Sequence, residues 1–164
     1  MKKQLAATFI IVISPFLFVS CISTLLQEKA PTFSKEIQFT QPKDPFVRLS
    51  KSIYPAWKSK NTGSVISIIS DCSENSASSS NLHQLITESI EQPQLIKQQQ
   101  IQFQNKPAQF YQTQGELDQN PIEIQSLSFR RKKCSYISSI SGRPNTLQTD
   151  LKTFNEFNES FKFE

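Results

Sequence analysis

The chain has 164 residues, a formal net charge of +4 at pH 7, 37% hydrophobic residues and 13 phenylalanines beside one tryptophan. That length suits one domain with a core of useful size. Three glycines, one histidine and three cysteines leave no Gly-rich phosphate loop and no metal-ligand spacing, so no cofactor or metal is expected, and the charge is too small for the basic face of a nucleic-acid binder.

The first 21 residues have the layout of an export signal. Lys2 and Lys3 make a positive start, an apolar run follows from Leu5 to Ile13, Ser14-Pro15 interrupts it, and Phe16 to Cys21 closes it with the small Ser20 before the cysteine. This resembles the lipobox of bacterial lipoproteins, with Phe18 standing where Leu is usual. The resemblance implies cleavage after residue 20 and acylation of Cys21 by chains such as palmitate. A single acyl chain holds a protein only reversibly, at ~0.8 kcal/mol per buried CH₂, so lipoproteins carry more than one. Ile22, in place of an Asp after the cysteine, favours the outer membrane facing the periplasm over the inner membrane. Gln4 to Gln27 contains no charge, and ~20 uncharged residues can span a bilayer. An uncleaved anchor and an ordinary secreted chain are therefore the alternatives.

Removal of residues 1–20 takes away two lysines and no acid, which leaves 144 residues and a balance of +2. Residues 21–51 read as a tether, because Pro31, Pro42 and Pro45 sit among mixed charges. Ile37 to Thr40 is a short edge-strand candidate within it. Residues 52–164 read as a single domain. Ser64 to Ser70 is β-branched on both parities and predicts a central strand covered on both faces. Asn81 to Glu91 predicts a helix, with Leu82, Leu85, Ile86 and Ile90 on one side, Ser80 or Asn81 as cap, and Pro93 as its stop. Leu95 to Gln104, Ala108 to Gln114 and Ile122 to Phe129 predict strands, with glutamines on their wet faces and a turn at Asp118-Gln119-Asn120-Pro121. Cys134 to Ile140 predicts another strand, which makes Arg130 to Lys133 a hairpin tip. After a break at Gly142 to Asn145, Thr146 to Lys162 predicts a helix. Its apolar stripe is Leu147, Leu151, Phe154, Phe157 and Phe161, and Asn145 with Gln148 suggests a capping box.

Strand, helix, a run of four strands, helix is an α+β order: an antiparallel sheet flanked by an early helix and a C-terminal Phe-rich helix. The strand ending at Cys72, the antiparallel run ending in Lys133-Cys134-Ser135-Tyr136, and the Phe-rich helix after Pro144 resemble small bacterial lipoproteins of the PsbP/DcrB-type α/β/α sandwich. A Gly-Arg turn near Asn105 to Ala108 is absent here. The resemblance implies a non-enzymatic accessory or assembly protein, with no catalytic residue to carry over.

With Cys21 assigned to the anchor, Cys72 and Cys134 are an even pair in an exported domain. A disulfide is expected, and two buried free thiols are the alternative. His83 flanks the apolar side of the first helix as a boundary residue. No Gly-x-Ser-x-Gly turn accompanies it, so no catalytic residue is assigned. Arg130, Arg131, Lys132 and Lys133 offer a surface contact for anionic head groups or an acidic partner; the alternative is a solvated tip that blocks edge pairing. Trp57 with Tyr54 and Pro55 is either a binding patch or, preferably, core. Two functions follow. One is a non-catalytic, lipid-anchored envelope protein, tied to the membrane by its lipid and docking on an envelope protein partner. The other is a lipoprotein that binds a small apolar ligand, suggested by the Phe content and requiring a cavity of ~300 Å³ or more.

Overall fold

The structure, a computed structural model, describes residues 34, 36–73 and 76–163. The export signal, Cys21 and Ile22 lie outside these residues. The elements are β1 (Ile37–Gln38), β2 (Phe46–Arg48), β3 (Ala56–Ser59), β4 (Val65–Asp71), α1 (Ser79–Thr87), β5 (Glu91–Phe103), β6 (Lys106–Leu117), β7 (Asn120–Arg131), β8 (Cys134–Gly142), α2 (Pro144–Glu159) and β9 (Lys162–Phe163). Seven strands form one antiparallel sheet in the order β2-β3-β4-β8-β7-β6-β5, while β1 pairs with β9 apart from it.

Period-2 alternation assigns the faces of the sheet. On one face, Trp57, Ile66, Ile68, Leu127, Phe129, Tyr136 and Ile140 are buried against Leu147, Phe154 and Phe157 of α2 and against Phe161 just beyond it. The predicted Phe stripe is therefore core. The opposite face carries α1, which lies over β6, β7 and β8. β4 is enclosed by β3 and β8, as its apolar run requires, with one face fully buried and the other half-buried.

The domain begins well before residue 52. Ile37 and Phe46 are in the core, and the Phe39 ring sits edge-on to Trp57, Phe157 and Phe161 at 5.7, 5.4 and 6.1 Å. Pro42 and Pro45 lie between β1 and β2, with Pro45 in the turn closed by the Phe46 N–H and the Lys43 carbonyl at 3.0 Å, so the expected tether gives residues 36–51 to the fold. β2 and β3 were not legible in the sequence, being three and four residues long. Trp57 is core, 2% exposed, with the Arg48 guanidinium 4.7 Å above its ring.

Other boundaries shift for local reasons. α1 stops at Thr87, whose hydroxyl donates to the carbonyls of His83 and Gln84. Its cap is Ser78, which accepts from the Asn81 N–H at 3.2 Å, in place of Ser80 or Asn81. Leu85, expected on the apolar side, is half exposed. Pro93 lies inside β5, where an edge strand tolerates a missing N–H. Pro144 starts α2 with its preset φ, so Arg143 takes the cap position with no side-chain cap bond and the Asn145–Gln148 box does not form. Gln104-Asn105 and Asp118-Gln119 all have φ between 49° and 62°, the left-handed pairs that close two-residue hairpins with the right twist.

Glutamine is not confined to wet faces. Glu123, 3% exposed, accepts from the amides of Gln112, Gln114 and Gln125 at 3.0, 2.7 and 2.8 Å. A buried carboxylate needs such donors, and these glutamines supply them.

Candidate functional site

Among the described residues no helix is long and apolar enough to cross a membrane, and no cluster of His, Cys, Asp or Glu could hold a metal. The side chains best suited to chemistry have structural partners. His83 stacks on Tyr111 at 4.3 Å and 11°, with Nδ1 3.1 Å from the Ser126 hydroxyl and Nε2 2.9 Å from the Thr113 hydroxyl. Ser126 is fully buried in mid-strand and Thr113 is 3% exposed, so neither presents a nucleophile. The imidazole is a bridge between α1 and the sheet, more deeply engaged than a boundary residue.

Burial pushes the His83 pKa below its ordinary 6.5. The unfolded chain therefore takes up this proton more readily than the folded one. Stability from the neutral ring is complete above pH 6.5 and declines as pH falls through the lower folded value. His83 is the only histidine, so urea midpoints should fall between pH 7.5 and pH 5, and His83→Gln should remove that fall. An unaltered pH response in His83→Gln would show that other groups carry it.

Cys72 and Cys134 form a disulfide, Cα–Cα 4.1 Å, between the end of β4 and the start of β8. The same end of the domain holds Ser34, whose N–H donates to the Ser70 hydroxyl at 2.8 Å and whose Oγ accepts from the Tyr136 hydroxyl at 3.1 Å. The predicted basic tip adjoins it but is not one unit. Arg130 and Arg131 belong to β7, and Lys132-Lys133 make the two-residue turn. Arg131 folds back. Its guanidinium lies 5.7, 5.3 and 5.1 Å from the Phe103, Phe129 and Phe163 rings and donates to the Phe103 carbonyl at 2.7 Å. Arg130, Lys132 and Lys133 point to solvent.

β5 is the largest unpaired feature. It bonds β6 on one side only, and residues 91–100 are exposed on both faces, including Leu95 at 54% and Ile96 at 50%. Register breaks fall between Glu91 and Lys97, but pairing from Lys97 to Phe103 is continuous. The alternation read in this segment buries neither face, because both helices sit over strands nearer the sheet centre. The pair Phe103/Lys106 closes a two-residue hairpin and so exchanges both of its backbone bonds. Alternation then turns the N–H and C=O of Gln98, Gln100 and Gln102 outward. The other sheet edge, β2, has three residues.

An open groove of about 440 Å³ lies at the end of the sheet remote from Cys134, lined by Asn61, Thr62, Leu117, Asn120, Ile122 and Arg143 among others. Thr62 there donates to the buried Asp150 of α2, tying the β3–β4 turn to the helix.

Two helices on opposite faces of a seven-stranded antiparallel sheet make this a PsbP-like α+β fold, as the resemblance implied. No protein-family model matches the chain, and no curated protein matches it. The solution structure of cyanobacterial PsbP (CyanoP) from Synechocystis is similar at TM-score 0.56 and 9% identity, over 81% of this chain and 91% of that one. The crystal structure of LpqN, involved in cell envelope biogenesis of Mycobacterium tuberculosis, is similar at TM-score 0.53 and 11% identity, over 77% of this chain and 82% of that one. Identities this low show the fold alone.

Proposed function

We propose that this protein is a non-catalytic, lipid-anchored envelope protein that docks as an accessory subunit on a membrane complex through the open edge of β5. The edge carries the reading: the strand is bonded on one side only, and after the register breaks and Lys97 its pairing runs on evenly from Gln98 to Phe103 with no charge, proline or bulge. Proteins normally cover, shorten or charge such an edge, and an added strand is a standard mode of protein recognition. The disulfide supports an oxidising compartment outside the cytoplasm, and the LpqN likeness is in keeping with an envelope role. Cys21 lies 13 residues before Ser34, so a lipid there holds the domain within ~45 Å of the bilayer at full extension.

Two variants test the reading. Cys21→Ser should release the protein from membranes or leave it unprocessed. Gln100→Pro removes one outward N–H without touching a bond to β6, and should shift the protein out of its complex on native gels while it stays membrane-bound. Unchanged membrane fractionation of Cys21→Ser defeats the anchor, and an unchanged complex with Gln100→Pro defeats the edge.

A second reading, small-ligand binding, rests on the groove, which exceeds the ~300 Å³ such sites need. Its mixed lining fits a polar ligand better than an apolar one. The Phe stripe, being core, no longer supports a lipid pocket.

A further inference from the structure

The β7–β8 tip and the earliest described residue share one end of the domain. Ser34 is bonded to Tyr136, and its Oγ lies 3.9 Å from the Cys134 sulfur, one residue beyond Lys133. The β5–β6 tip is at this end too, since Ala108 pairs with Phe129 and the two strands run on together to Lys106 and Arg131. Lys106, Arg130, Lys132 and Lys133 are exposed here and, among the described residues, form no ion pair. The acids at this end are Glu36, near Tyr136, Asp71, opposite Ser135, and the exposed Glu159, two residues before the Phe161 whose carbonyl accepts from Gln104 of the β5–β6 turn. Asp71 is already engaged by the Ser73 and Ala77 N–H groups at 2.9 and 2.6 Å. The far end is mixed: Glu91, Glu116 and Asp118 stand there with Arg143 and the Lys60–Asp44 pair. Cations thus gather beside Ser34, the earliest described residue, and Arg131, bonded to the Phe103 carbonyl beneath three rings, braces the strand that carries them.

We infer that this end is a membrane-facing surface, in which Arg130, Lys132, Lys133 and Lys106 contact anionic phospholipid head groups and orient the anchored domain with its strands rising from the bilayer. The inference rests on the anchored reading above. A short connection to a lipid keeps this end within reach of the surface, and basic groups beside an anionic leaflet are drawn to it over about a screening length. The orientation leaves β5 running away from the membrane with its edge open sideways.

The test uses the native lipidated protein in phosphatidylcholine vesicles with or without phosphatidylglycerol. A fluorescent amino acid replaces Gln102 or Gln94, ~27 Å apart on the same strand, and a paramagnetic head-group quencher reads their depth. In anionic vesicles quenching at position 102 should exceed that at 94 several-fold. The difference should vanish in pure phosphatidylcholine, in 1 M salt, where screening falls to ~3 Å, and in Arg130→Glu/Lys132→Glu/Lys133→Glu. Lys132→Gln/Lys133→Gln should reduce it and guards against misfolding of the reversal. Equal quenching at both positions, or a preference indifferent to lipid charge, overturns the inference. Charge dependence confined to native membranes would assign the tip to an acidic protein and overturn it as well. Flotation separates the two claims: charge-reversed protein should still float, and failure of the native protein to float removes the anchor and this surface with it.

Discussion

Phe157→Ala should cost about 3–5 kcal/mol, the usual penalty for emptying a fully packed aromatic site. The ring is 2% exposed and lies 5.4 Å from Phe39, 5.4 Å from Trp57 and 4.9 Å from Phe161, mostly edge-on. It joins α2, the sheet and the segment before β2, so a cavity there has little backbone free to collapse into it. Domains of this size have about 5–15 kcal/mol in total, and urea slopes of ~1–3 kcal/mol/M turn the loss into a midpoint shift of more than ~1 M. Glu156→Lys is the control. Glu156 is exposed and meets Lys152 at 3.9 Å with both groups largely in water, so its change should stay within ~1 kcal/mol. A loss below ~1.5 kcal/mol for Phe157→Ala would mean that the aromatic stripe is not core, and would restore the case for an apolar ligand pocket.

Removing the Cys72–Cys134 bridge should cost about 4 kcal/mol, the chain-entropy value for a loop of this length. The 62-residue separation encloses α1, β5, β6 and β7, three of the sheet's seven strands. Asp71 already pairs with Ser135, so the bridge continues the β4–β8 ladder by one step, and its effect falls mainly on the unfolded chain. Cys72→Ala/Cys134→Ala and the reduced wild type should unfold at similarly lowered urea midpoints. A difference under ~1 kcal/mol from the oxidised protein would show that the bridge adds little beyond the strand pairing. A full loss would tie stable folding to an oxidising compartment, in line with export.

The α+β class, both helices and the five longest strands, β4 to β8, were legible because each leaves a local trace: β-branched runs for β4, a 3.6-residue Phe stripe for α2, and turn residues between β6 and β7. The disulfide was readable from an even cysteine pair. Of the short strands before β4, β1 was read at Ile37, but β2 and β3 left no such trace. β2 and β3 exist because neighbours complete their hydrogen bonds and because Phe46 and Trp57 have a core to enter; the three prolines before them looked like tether for want of that context. Glu123 shows the same limit. Its place two residues before Gln125 and four before Leu127 put it on a buried parity, yet its stability depends on glutamines that arrive from β6.

The candidate surfaces divide likewise. Local chemistry marked Arg130 to Lys133 as a basic tip and residues 92–125 as unusually rich in glutamine. Only packing could turn Arg131 inward onto three phenylalanines, set the remaining cations beside Ser34, clamp His83 between Thr113 and Ser126, and leave β5 as an uncovered edge. Periodicity along a chain reports which residues prefer burial, whereas strand order and the position of a helix over a sheet arise from contacts between residues far apart in sequence, which no local pattern encodes.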